Sequence, residues 1–330
     1  MAWNGNFYGT SNPPDGSSDY DNLVYSTNPS GTVHTRLMVC PNQICPTNAG
    51  PSGTLLQASG GFLIGPGPGG ANGVGAIYKM TPLGTPAVLY SMCVDSACLG
   101  GTSTNTPLVQ NLGGSLYGTN RAGGGGGHCT IGQGCGTAFH LVGPTFTVLH
   151  PFCNWLNCTD GGQPNALIQA SDGNFYGTAL SFGAHNGGVV FKVTNTHQYT
   201  VIHAFATADG IAPQTALVQA TDGTLYGTTV QGGANPLGDD FGTIFKISLG
   251  LPRFAKTVQP AGKVGDSIVI LGNGLTGSTA VTFNGSAATF TVVSDTEITA
   301  TVPSGSTTGK VQVMTPGGTL STIVNFPIHS

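Results

Sequence analysis

Eight cysteines offer the clearest reactive chemistry in this chain, and they fall into close pairs: Cys40–Cys45, Cys93–Cys98, Cys129–Cys135 and Cys153–Cys158. Three pairs share a four-residue spacer. An even count at repeated spacing predicts local disulfides in an oxidising compartment, so the chain is expected outside the cell or on its surface. The rival reading is zinc, which usually takes two-residue spacers with further His or Cys partners close by. The pairs are read as one per repeat, an arrangement hard to gather around a single metal.

Other chemistry is sparse. Asp15, Ser17, Asp19 and Asp21 put oxygen ligands at alternate positions of "DGSSDYD", as calcium loops do, but no Glu closes the loop at the twelfth position. This segment therefore reads either as a calcium site or as a solvated loop, and no other cofactor is expected. Trp155 lies between two cysteines in "CNWLNC". There it serves either as a platform for a sugar or partner, or as a cap on the apolar edge of its own sheet. His150 and His203 occupy equivalent repeat positions, matched elsewhere by Tyr90 and Leu37, which predicts strand packing rather than ligation. No Gly-x-Ser-x-Gly elbow or paired-carboxylate pattern appears, and most of the twelve Asp residues sit in turns. The glycine run Gly123–Gly127 leads into Cys129 and not into the helix that a phosphate loop needs. No catalytic residue is assigned, and the chain is expected not to be an enzyme.

The elements that carry these residues repeat. "GNFYGT" at 5–10 returns as "GGFLIG" at 60–65, "GSLYGT" at 114–119, "GNFYGT" at 173–178 and "GTLYGT" at 223–228. The equivalent positions Tyr8, Ile64, Tyr117, Tyr176 and Tyr226 lie 56, 53, 59 and 50 residues apart. A second phrase ("GTIFKI" at 242–247 is one copy), a third ("YTVIHAF" at 199–205) and a fourth ("TALVQAT" at 215–221) follow in order. Each alternates as a strand does, and Asp172-Gly173 and Asp222-Gly223 mark tight hairpins between fourth and first phrases. Four strands per period of about 50 residues predict blades of a β-propeller, about five of them, over residues 1–250. The cysteine pairs are read as staples of the long loop between third and fourth phrases. First and second phrases occur five times but third and fourth only four times, so one sheet is expected to be two strands short. The gap could be filled by upstream residues, by the linker around Phe254–Val258 or by a strand from another copy. The last would join copies head to tail.

These phrases, "DGNFYGT", "GTIFKI", "TVLHPF" with its Cys pair and "ALVQATDG", resemble the GloVer tandem repeat of bacterial surface and secreted proteins over roughly residues 1–249. The resemblance implies an extracellular propeller and carries no known activity. From Leu251 the rhythm changes to some seven short strands without cysteine. "VGDSIVILGNGL", "VTFNG", "SDTEITATVP" and "GKVQVMTPGG" resemble an IPT/TIG domain, an immunoglobulin-like sandwich over 251–330 with Val281, Phe283, Ile298, Val302, Val311 and Val313 turned inward.

Composition agrees with an all-β chain. Gly numbers 54, Pro 21, and only 7% of residues are charged, so exposed surface must be Thr, Ser, Asn, Gln and Gly. The net charge of −4 and nine scattered Lys and Arg exclude the basic footprint of nucleic-acid binding. No apolar run reaches the ~20 residues of a membrane span, and no signal peptide is visible. The function expected is a non-enzymatic structural or adhesive surface protein, partnered by its own copies in a filament. The alternative is a propeller that binds or processes carbohydrate, with surface glycans as partners.

Overall fold

The computed structural model describes residues 5–11, 23–28, 30–38, 53–71, 73–82, 84, 86–93, 98–102, 106–124, 126–129, 134–233 and 241–329. Apart from one 3-10 turn, all regular structure there is antiparallel β. Sheet one holds β1 (Phe7–Ser11), β2 (Leu23–Thr27) and β3 (Val33–Met38). Sheet two holds β4 (Leu56–Gln57), β5 (Leu63–Gly67), β6 (Ala76–Met80) and β7 (Ala87–Ser91). Sheet three holds β8 (Val109–Gln110), β9 (Leu116–Asn120), β10 (Thr137–Val142) and β11 (Thr145–Pro151). Sheet four holds β12 (Gly162–Gln169), β13 (Phe175–Ser181), β14 (Val189–Val193) and β15 (Tyr199–Ala204). In sheet five β16 (Ile211–Pro213) and β17 (Val218–Gln219) line one edge of β18 (Leu225–Gln231), and β19 (Ile244–Ile247) lines the other.

Sheets two, three and four thus run fourth, first, second, third phrase. The hairpins between fourth and first strands close as their residues dictate: Asp172 and Asp222 accept the amides of Asn174 and Thr224, and Gly173 and Gly223 take positive φ. Asn111 does the same for Ser115. The glycine of the Tyr-Gly-Thr phrase has a steric cause. A Cβ on Gly177 would lie 2.7 Å from the Phe191 ring and 2.9 Å from Leu167, because the second-phrase aromatic lies across it. Gly118 and Gly227 make the same room for Phe139 and Phe245.

Neighbouring sheets pack face to face. Tyr117 stacks on Phe175 at 3.8 Å, and the two lie in one buried cluster with Leu167 and Phe191. Tyr176, Val190, Leu217 and Leu225 form the next junction. Hydroxyls tie the same junctions: Thr119 donates to the Asn165 carbonyl and Thr178 to that of Thr215.

The strand shortage is divided differently from the expectation. Among the described residues sheet one lacks a fourth-phrase strand and sheet five a third-phrase strand, because the fourth phrase joins the sheet that follows it. The linker fills neither place. Lys256–Thr257 forms β20 and pairs with β21 (Ser267–Leu271) instead. Phe254 is buried, its amide bonded to the Thr221 carbonyl at one hairpin end of sheet five.

The remaining strands are β22 (Ala280–Phe283), β23 (Ser286–Ala288), β24 (Phe290–Ser294), β25 (Glu297–Thr301), β26 (Val311–Thr315) and β27 (Gly318–Ser321). They form two sheets, β20-β21-β25-β24 and β23-β22-β26-β27, around one core that includes Ile268, Ile270, Phe283, Ile298 and Val313. Val281, Val302 and Val311 are buried there too.

Candidate functional site

A buried pairing of ionisable side chains lies in the loop that leaves β11. His150, near the end of that strand, holds its Nε2 2.9 Å from Oδ2 of Asp160, and both residues are buried. The carboxylate also accepts the backbone N–H of Asn154 at 2.9 Å and of Trp155 at 3.2 Å. The Cys153–Cys158 disulfide and a 3-10 turn over Leu156–Cys158 hold the loop tight enough for this. Tyr199, which opens β15, lies flat on the His150 ring at 3.6 Å and donates its hydroxyl to the Asp160 carbonyl at 2.5 Å. Burial first, and the Asp160 charge second, push the Tyr199 phenol well above its ordinary range, so it stays a donor. Trp155 stands edge-on to His150 and Tyr199, with 42% of its surface still exposed.

The arrangement recurs one sheet later. His203 Nε2 lies 2.6 Å from Oδ2 of Asp209, whose Oδ1 accepts the Ala206 amide at 2.8 Å. No cysteine pair closes this loop, and among the described residues sheet five has no third strand whose ring would cover His203, so this pair is half-exposed. One sheet earlier Tyr90 takes the place of His and stacks on Phe146 at 4.6 Å. Gly100 takes the place of Asp: Gly101 and Gly161 each bond back to the preceding cysteine carbonyl at 2.9 Å, which makes Gly100 and Asp160 equivalents.

A His–Asp pair can act as an oriented base when a nucleophile reaches the ring. In this loop the His150 Nε2 is taken by the carboxylate and one ring face is covered by Tyr199, so its chemistry is spent on holding the loop to the next sheet. The reading of His150 and His203 as strand packing is therefore incomplete, and Asp160 and Asp209 were missed. The signal was present: "TDGGQP" at 159–164 and "ADGIAP" at 208–213 each follow a third phrase bearing His, whereas the phrase bearing Tyr90 is followed by Gly100.

Three of the expected cysteine pairs are disulfides: Cys93–Cys98, Cys129–Cys135 and Cys153–Cys158, with Cα atoms 4.2, 5.8 and 4.0 Å apart. Cys40, Cys45, Asp15, Ser17, Asp19 and Asp21 lie outside the described residues. One expectation is corrected. Cys129–Cys135 stands in the loop between β9 and β10, not between third and fourth strands. The fold brings it against Cys153, so that the sulfurs of Cys129, Cys135 and Cys153 lie within 4.8 Å of one another. Sequence distance misled because the β9–β10 loop and the β11 loop of one sheet end at the same place. As disulfide sulfurs these atoms offer no thiolate.

The model of the Gloeobacter/Verrucomicrobia repeat matches residues 130–326, more than half of the chain. The chain belongs to the Gloeobacter/Verrucomicrobia repeat family. The match of that repeat takes in the His–Asp loops, sheets four and five and most of the C-terminal pair of sheets. A comparison with curated proteins found no match. Among solved structures the repeat protein is similar to a gluconolactonase from Xanthomonas campestris, at 14% identity and a TM-score of 0.40 over 87% of this chain and 81% of that one. A likeness of that depth carries no argument about chemistry. No helix among the described residues is long and apolar enough to cross a membrane.

Proposed function

We propose that this repeat protein is a non-enzymatic structural or adhesive protein of the cell exterior. In this reading the repeat sheets are blades of a propeller of about five, and the C-terminal pair of sheets is an IPT/TIG immunoglobulin-like module. The observation that carries the reading is the fate of the His–Asp pairs. The constellation best suited to catalysis recurs in consecutive repeats as a loop clamp, its carboxylates occupied by backbone amides, and a Tyr90/Gly100 version replaces it one sheet earlier. A catalytic group has no reason to recur along a stack, whereas a packing device does. Three disulfides are compatible with an oxidising exterior.

The test is a hydrolase panel of glycosides, esters and sugar lactones with the wild-type protein and a His203→Ala variant. No turnover is expected from either. Turnover that His203→Ala abolishes would overturn the reading. The carbohydrate-binding alternative rests on Trp155, an aromatic face 42% exposed and fixed by its neighbours. Glycan-array binding lost in Trp155→Ala would favour it.

A further inference from the structure

Interior sheets bury both faces, and the repeat assigns the same positions to the task each time. Tyr117 and Ala138 of sheet three, and Tyr176 and Val190 of sheet four, face the following sheet. Leu116 and Phe139, and Phe175 and Phe191, face the preceding one. At the two ends these positions are bare. Ile244 is 83% exposed where Ala138 and Val190 are 0%, and Tyr226 is 38% exposed where Tyr176 is 1%. At the other end Phe7 is 42% and Tyr25 36% exposed, where Phe175 is 1% and Phe191 0%.

We propose that these end faces are the two halves of one interface between copies of this chain. Sheet five of one copy packs on sheet one of the next, Tyr226 stacking on Phe7 as Tyr117 stacks on Phe175, with Ile244 against the Tyr25 ring. The proposal deepens the structural role given above and rests on it, with the blades forming an arc that one chain leaves open between sheet five and sheet one. The occupant follows from the repeat. The face built by Val218, Tyr226 and Ile244 has the chemistry that an interior sheet offers its successor, so what fits it is the front of another such sheet. Each copy carries such a front in Phe7 and Tyr25 of sheet one, and in the structure this chain's own front leaves Tyr226 and Ile244 of sheet five uncovered. The two surfaces differ, so the contact is heterologous and propagates as an open chain unless its rotation closes. With 7% charged residues the chain puts little repulsion in the way. Among the described residues sheet one has no counterpart of the fourth-phrase leucines Leu167 and Leu217 that line interior junctions, so this junction is smaller and association is reversible.

Sedimentation of the whole, disulfide-intact chain across a wide concentration range tests this, with Phe7→Lys and Ile244→Lys as variants. Both positions are exposed, so both variants should fold, and circular dichroism checks that they do. The wild type is expected to grow in steps of one chain mass as concentration rises. Each variant alone should stay monomeric, and an equimolar mixture should form a heterodimer and nothing longer, since each supplies the face the other lacks. A wild type that stays monomeric overturns the proposal. If Ile244→Lys then also lowers Tm, the end faces close on each other within one chain; if not, they remain bare. A monomer without turnover would sink this proposal alone, whereas turnover in the substrate panel would sink the functional reading.

Discussion

Asp160 shows how one carboxylate can organise a loop. It is buried, and its oxygens serve one imidazole and two amides. Removing one partner of a buried pair leaves the other uncompensated, at about 3–5 kcal/mol. Asp160→Ala is therefore expected to lower unfolding free energy by about 3 kcal/mol. The same change at half-exposed Asp209 should remove about 1 kcal/mol or less, since solvent already screens that pair. Urea titration of the two variants checks the ratio, and equal losses would contradict the burial argument. Asp172 carries a pH signature. Burial raises its pKa, but hydrogen bonds from the Asn174 side chain and amide and from Tyr176, with the Lys192 charge, outweigh this and hold it below the ordinary carboxylate range. A pKa depressed by folding contributes stability above the unfolded pKa and loses it as pH falls through the folded one. Asp172→Asn should therefore flatten the acid limb of the Tm–pH curve, and an unchanged acid limb would contradict the assignment.

At the scale of the element, the Tyr-Gly-Thr strand accounts for the close approach of its neighbours. Gly177 has no special backbone angle; it is glycine because Phe191 lies across it. Forcing a methyl into a packed core costs typically about 1–3 kcal/mol, so Gly177→Ala should destabilise by about 2 kcal/mol. Ala at Gly118, under Phe139 and Leu108, should behave alike. Chemical denaturation measures both, and a neutral Gly177→Ala would show that the ring swings aside. A second device is the fourth-phrase Gln. Gln110 and Gln219 each bond to the hairpin glycine of their own sheet and accept an amide, Ser59 or Ser171, from the hairpin of the preceding one. It was visible as a recurring letter, but its role needs two sheets to be seen together.

Taken whole, the molecule is a series of sheets in which each stabilises the next, so stability should grade along it as in other repeat assemblies. Sheet four, covered on both faces and rich in fully buried aromatics, should be the most protected part of the repeats. Hydrogen exchange is expected to be slowest in β13 and β14 and faster in β1, β2 and β19, whose sheets each have one bare face. Uniform protection would mean that the end faces are covered in solution. Such a result under conditions where the protein sediments as a multimer would agree with the contact between copies.

Much of this was legible in the letters alone. Strand phrases, their order within a sheet, the Asp-Gly hairpins and the inward-facing residues of the C-terminal pair of sheets follow from local alternation and turn chemistry, which act between residues near in sequence. The spacing of Cys93–Cys98 and Cys153–Cys158 is of the same kind. Tertiary structure alone decided what meets across sheets: that Asp160 would find His150 beneath Tyr199, that Cys129–Cys135 would lie against Cys153, and that the linker would join β21 and leave β19 open. It also decided which identical positions are buried and which are bare. Val190 and Ile244 read the same in sequence, and what separates them is whether another sheet lies on top. That depends on how many sheets are stacked and where the stack ends, not on the residue or its neighbours along the chain.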